Sequence, residues 1–175
     1  MLVSGHYDSW YEGITDNGVA NAAMMEIARV FQENQEHLER SVVLAWWSGH
    51  SDGRFSGSTW YCDSHYADLR KNCVAHVNLD LTGCKNSEQI VARTAGSEGI
   101  SYTADLIEKY TGKRPDVYIP MIRGADQSFW GAYVPITIML KYEPLPEKRL
   151  SDCPSGGPWW HTPKDTIDKL DEKIM

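Results

Sequence analysis

Apolar positions along this chain fall into two alternating rhythms. Residues 41–47 (SVVLAWW) and 73–81 (CVAHVNLDL) are nearly continuous apolar runs, which predicts strands buried on both faces. Residues 135–140 (PITIML) predict the last strong strand, with shorter extended pieces at 1–5, 89–94 and 117–119, the last closed by Pro120. Between these lie stretches with helical spacing. From Asn17 to about Gln32, Ala20, Met24, Ile27, Ala28 and Phe31 recur on one face. Further helices are expected from Ser58, as its cap, to about Arg70, over 97–110, over 126–133, and in the tail over 163–174. Residues 33–40 are polar and charged, and 143–160 hold four of the eight prolines, so both read as loops.

Buried strands alternating with amphipathic helices predict an α/β fold around a mostly parallel sheet. At 175 residues the chain suits one domain with a real core. In such sheets ligands gather beyond the carboxyl ends of strands. His6, Asp52 and Asp80 fall just after, or at the end of, predicted strands.

Composition narrows the function classes. A formal net charge of −7, with Lys and Arg scattered, argues against a nucleic-acid partner. No apolar run approaches the roughly 18 residues of a membrane span, and no signal peptide is visible at the start. The cysteines Cys62, Cys73, Cys84 and Cys153 form no CxxC pair; free thiols are favoured, and one disulfide stays open. Trp10, Tyr11, Trp46, Trp47, Trp159 and Trp160 cluster beside polar motifs and suit either an aromatic-walled cleft or core packing.

The candidate chemistry lies in those motifs. His6, Asp16, Asp52, Asp80 and His161 offer two imidazoles and three carboxylates, a donor set suited to a pair of zinc ions with one bridging carboxylate. Each has a plain structural alternative: Asp16 or Asp80 could cap a helix or turn, and His161 could pack among its neighbouring Trp rings.

Taken together, His6-Tyr7-Asp8, Asp16-Asn17-Gly18, Gly57-Ser58, Asn78-Leu79-Asp80 and His161-Thr162-Pro163-Lys164-Asp165-Thr166 resemble, in order, the motifs of the M28 zinc peptidases. The segment 123–129 (RGADQSF) resembles the family's stretch before the penultimate strand. The resemblance implies a zinc-exopeptidase-like three-layer sandwich, with a mixed, mainly parallel sheet between helices. It implies that His6 ligates zinc with Asp8 as its supporting partner, that Asp16 bridges, and that Asp80 and His161 complete the set. Members are mostly aminopeptidases, with some carboxypeptidases and glutaminyl cyclases, so a peptide or aminoacyl substrate is expected.

Two departures stand out. Where the family carries Glu-Glu before Gly-Ser, this chain has Ser51 and Asp52. Asp52 could still ligate, but the Ser51 hydroxyl is too weak a base, leaving His50 as the nearest proton acceptor, or alternatively as a ligand. The chain also starts almost on the His6 strand, so a domain lacking N-terminal strands is expected, with an exposed sheet edge and a tendency to form homo-oligomers.

Overall fold

The computed structural model describes residues 1–94, 99–118, 125–145 and 157–171. Strand β1 (Leu2–His6) is followed by α1 (Val19–Glu33), β2 (Val43–Trp47), α2 (Ser56–Ser64), α3 (Tyr66–Asn72) and β3 (Ala75–Leu79). Then come β4 (Gln89–Thr94), α4 (Ile100–Thr111), β5 (Asp116–Tyr118), α5 (Ala125–Gly131) and β6 (Ile136–Glu143). They form one six-stranded sheet in the order β2-β1-β3-β6-β4-β5. The first four strands of that order run parallel; β4 is antiparallel to β6, and β5 is parallel to β4.

Strand alternation divides the core. Val3 points to one face, where it packs with Ala20 and Met24 of α1 and with Leu79. Leu2 points to the other, toward Trp47, Cys62, Leu69, Phe129 and Val134 from the α2, α3 and α5 side. The sheet is thus sandwiched between helices, as expected. Phe129 is fully buried, and burial of a side chain of that size contributes about 1.5–3 kcal/mol. On its layer lies a polar inclusion: Ser4 Oγ donates to Asn78 Oδ1 at 2.9 Å and meets His76 Nε2 at 2.8 Å, while the His76 ring stacks on Phe129 at 3.9 Å.

Several expected boundaries shift. The apolar run at 41–47 is an edge strand, not one buried on both faces: Val43 is 46% exposed and Trp46 39%. An apolar run reports composition and is blind to a strand's place in the sheet. The helix expected from Ser58 to about Arg70 is two helices that meet at His65, and it opens on Phe55 in a left-handed conformation (φ 68°). Ser58 is not its cap, for its hydroxyl donates back to the Phe55 carbonyl. Among the described residues of the tail expected to be helical, up to residue 171, the one helical piece is a 3-10 turn, Ile167–Lys169. Its backbone groups pair instead with the segment after β3, through Lys85 N to Lys169 O (2.8 Å) and Asp171 N to Gly83 O (3.0 Å). Most of the 143–160 loop, with Cys153, and the motif residues at 123–124 lie outside the described residues.

Candidate metal centre

Three parallel strands side by side, β2, β1 and β3, deliver His50, His6 and Asp80 just at or beyond their carboxyl ends. His6 is 1% exposed. Its Nδ1 lies 2.8 Å from the Asp8 carbonyl oxygen, which in a neutral ring places the proton on Nδ1 and leaves Nε2 with a lone pair. The Asp8 carboxylate accepts a bond from Ser51 N through Oδ2 at 2.9 Å. Asp8 therefore ties the His6 strand end to the turn that carries His50. The His50 ring lies parallel to His6, with centroids 3.9 Å apart and planes 5° apart, and Phe55 packs edge-on to its ring at 4.7 Å.

Asp16 enters from the β1–α1 connection. The turn Ile14–Gly18 is tight, and Gly13 makes it possible: its φ is 56°, and a Cβ there would lie 2.3 Å from Ser9 Cβ and 2.6 Å from the Asp16 carbonyl oxygen. Two side chains pin the turn. Asp165 accepts from Thr15 N (2.9 Å) and Asp16 N (3.3 Å) through its two carboxylate oxygens. Asn17 donates to the Leu79 carbonyl (3.0 Å) and accepts from Leu81 N (3.1 Å), clamping the turn to the backbone on both sides of Asp80.

His161 arrives four residues before Asp165 in a left-handed conformation (φ 58°). Its Nε2 lies 2.9 Å from Asp16 Oδ2, while Asp16 Oδ1 lies 2.9 Å from His6 Nε2. One carboxylate is thereby shared between two imidazoles, one oxygen to each. Asp80 Oδ1 lies 3.6 Å from the same His6 nitrogen. Trp160 stacks on His161 at 3.4 Å, and Trp10, 42% exposed, flanks it at 6.0 Å, so aromatic rings rim this side of the centre.

The electrostatics show a centre short of positive charge. Burial works to lower the His6 pKa, but Asp16 and Asp80 together outweigh it and hold it at about 10. For Asp80, burial favours the neutral acid, and His6 beside it reverses the balance, holding the carboxyl below its ordinary range. His50 is pushed below the usual histidine range by burial and then by the neighbouring His6 charge, which favours its neutral ring. Without a metal, a proton on His6 supplies the cation that these carboxylates attract.

The donor chemistry fits a metal. His6 Nε2 and Asp80 Oδ1 are buried yet make no hydrogen bond of acceptable geometry. The donor atoms of His6, His50 and Asp80 all lie within 4.8 Å of one another. Zinc holds such donors at about 2.0–2.2 Å, which spaces two of them about 3–4 Å apart. Asp16 presents one carboxylate oxygen to each of the two imidazoles.

Of the residues singled out from the sequence, the fold brings together His6, Asp8, Asp16, His50, Asp80 and His161. Asp52 stands apart, exposed in the turn after β2. Counting back along the chain could not reveal this, because the turn holding His50 inward carries residue 52 outward. Asp165 and Asn17 were part of recognisable motifs, but their role in holding the Asp16 turn was not. Only the packing of distant segments assigns it.

Imidazoles and carboxylates gathered beyond the ends of parallel strands stand where α/β sheets place their ligands. The fold matches a zinc aminopeptidase from Bacillus subtilis with a TM-score of 0.80 at 20% identity, covering 99% of this chain and 42% of that one. It also matches a glutaminyl cyclase from an Acidobacteriales bacterium, with a TM-score of 0.75 at 19% identity, covering 99% of this chain and 63% of that one. In sequence it is 26% identical over 199 residues to the mouse aminopeptidase NAALADL1, covering 98% of this chain and 26% of that protein. Peptidase family M28 matches residues 1–175, and the chain belongs to that family. It spans about a quarter of the mouse relative's length and less than half of the Bacillus enzyme's.

Proposed function

We propose that this chain carries the catalytic centre of a zinc-dependent aminopeptidase, with His6, Asp16, Asp80 and His161 binding the metal and Asp16 bridging two ions. The observation that carries this reading is the Asp16 carboxylate, one oxygen 2.9 Å from each of His6 Nε2 and His161 Nε2. Zinc bound there would polarise the scissile carbonyl and lower the pKa of a bound water toward about 7. The chain's own groups do the rest. Asp8 and its carbonyl hold the His6 ring in line. The carboxylates around the centre would receive the free amino end of a peptide, and the Trp10 and Trp160 rings flanking His161 would line the way for the substrate's first side chain. Where a carboxylate general base would stand, the centre has His50, whose ring is kept neutral by burial and so open either to a proton or to a metal ion.

A second reading, a glutaminyl cyclase acting through one zinc, is favoured by one feature. Ser51 carries a hydroxyl and Asp52 is exposed, so neither supplies a carboxylate base at the centre for hydrolysis. Metal-loaded protein incubated with aminoacyl p-nitroanilides and, separately, with a peptide that begins in glutamine tests both. Release of nitroaniline that disappears with the metal in His6→Ala supports the peptidase. Pyroglutamyl formation without nitroaniline supports the cyclase. Neither product from zinc-loaded protein overturns both and leaves a metal-binding module without turnover.

A further inference from the structure

We propose that His50 is a metal ligand of this centre, supplying an imidazole nitrogen in the place where the motif order leads one to expect a carboxylate. This rests on the metallopeptidase reading and deepens it, since it changes which ions the centre prefers.

Three observations carry it. First, His50, His6 and Asp80 present donor atoms within 4.8 Å of one another, and in this group His6 Nε2 and Asp80 Oδ1 are already buried without a hydrogen bond. Both atoms have only charge contacts, with each other at 3.6 Å and from His6 to Asp16 at 2.9 Å, so three donors of ligand type stand together in a buried place with hydrogen bonding left unmet. Second, His50 lies parallel to His6 with centroids 3.9 Å apart. The lone pairs of two parallel imidazoles lie in their ring planes and run side by side, so at this spacing the rings would face two ions about 3.5–4 Å apart and not converge on one. Third, the ring is held in this attitude from behind. Phe55 packs edge-on against it, and the turn is fastened by Ser51 N to Asp8 and by Ser56 N to Gly49 O (3.1 Å). Orientation by surrounding groups is what an effective ligand requires. Asp52, the other ligand candidate in this turn, is exposed.

A nitrogen donor in place of an oxygen donor favours zinc, cobalt, nickel and copper over manganese and magnesium. The centre should therefore discriminate against manganese more strongly than one with a carboxylate at this place.

The test uses the full chain as wild type, His50→Ala, His50→Glu and Asp52→Ala, with folding checked by circular dichroism. Zinc content after desalting is measured by elemental analysis, affinity by competition with a chelating dye, and the cobalt-substituted protein by its visible absorption. The expected result is at least a tenfold loss of zinc affinity or the loss of bound zinc in His50→Ala. A changed cobalt spectrum, recovery of binding in His50→Glu with a shift toward manganese, and no change in Asp52→Ala complete it. Zinc content and affinity within about twofold of wild type in folded His50→Ala overturn the proposal, and so does a loss found in Asp52→Ala instead. If His50→Ala keeps its zinc but loses anilide hydrolysis, His50 is the proton acceptor and the peptidase reading stands alone. If wild type binds zinc through His50 yet cleaves no anilide, the ligand assignment stands and the peptidase reading falls.

Discussion

Asp165 shows how a single side chain can act on a centre it does not enter. It is 1% exposed, and its two oxygens accept from Thr15 N and Asp16 N, the backbone of the very turn that presents the shared carboxylate. Its own backbone N–H bonds to the Thr162 carbonyl at 3.1 Å, next to His161, so the segment carrying that imidazole is joined to the Asp16 turn. Replacing it by Ala leaves two buried N–H groups without acceptors, at about 1–3 kcal/mol each. Asp165→Ala is therefore expected to lower the unfolding free energy by about 2–6 kcal/mol and to weaken zinc retention at the same time. Denaturant unfolding and elemental analysis on one preparation check both. Unchanged zinc content in a destabilised variant would show that Asp165 supports the fold and not the centre. His6, Asp16, Asp80 and His161 were all legible as donors from residue type and motif order. Which carboxylate oxygen faces which imidazole was not, because that depends on rotamers set by neighbours from other parts of the chain.

At the scale of elements, the start of α2 is the sensitive joint. A Cβ on Gly57 would lie 2.3 Å from the Ser48 carbonyl oxygen, a backbone atom that cannot swing aside. Glycine here lets the helix begin directly against the turn that carries His50, and Gly57 N bonds to that same carbonyl at 3.2 Å. Gly57→Ala should cost about 1–3 kcal/mol through the forced shift. It should also disturb the His6–His50 stack, seen as altered histidine ring resonances in NMR spectra. Wild-type stability and unshifted resonances would show that the turn yields without cost. Helix α1 was legible within two residues of its start, since its apolar face packs on one sheet surface. The break between α2 and α3 was not, because it comes from the packing of both helices on the core. The tail failed for a related reason: helical propensity lost to pairing with the segment after β3.

Across the whole molecule, the buried imidazole of His76 sets an acid limit. Burial alone pushes His76 down to about 3, well under its ordinary 6.5. The unfolded chain therefore binds a proton here that the folded chain refuses, and stability is lost as the pH falls below 6.5 toward 3. That amounts to about 2 kcal/mol between pH 6.5 and 5. His50, lowered by its own burial, adds to the slope in the same direction. Denaturant midpoints of metal-free protein at the two pH values measure the effect, and His76→Asn should flatten the dependence. A slope unaltered in that variant would remove His76 as its source.

The sequence by itself determined the α/β class, most of the order of strands and helices, the family, and His6, Asp16, Asp80 and His161 as groups that meet at the strand ends. These follow from local periodicity and residue type, which are carried along the chain. Only the tertiary structure decided that the 41–47 run is an edge strand, that Asp52 faces solvent while His50 lies against His6, and that Asp165 holds Asp16. Each of these depends on which distant segments become neighbours, and a turn of a few residues can face its side chains inward or outward with the same composition.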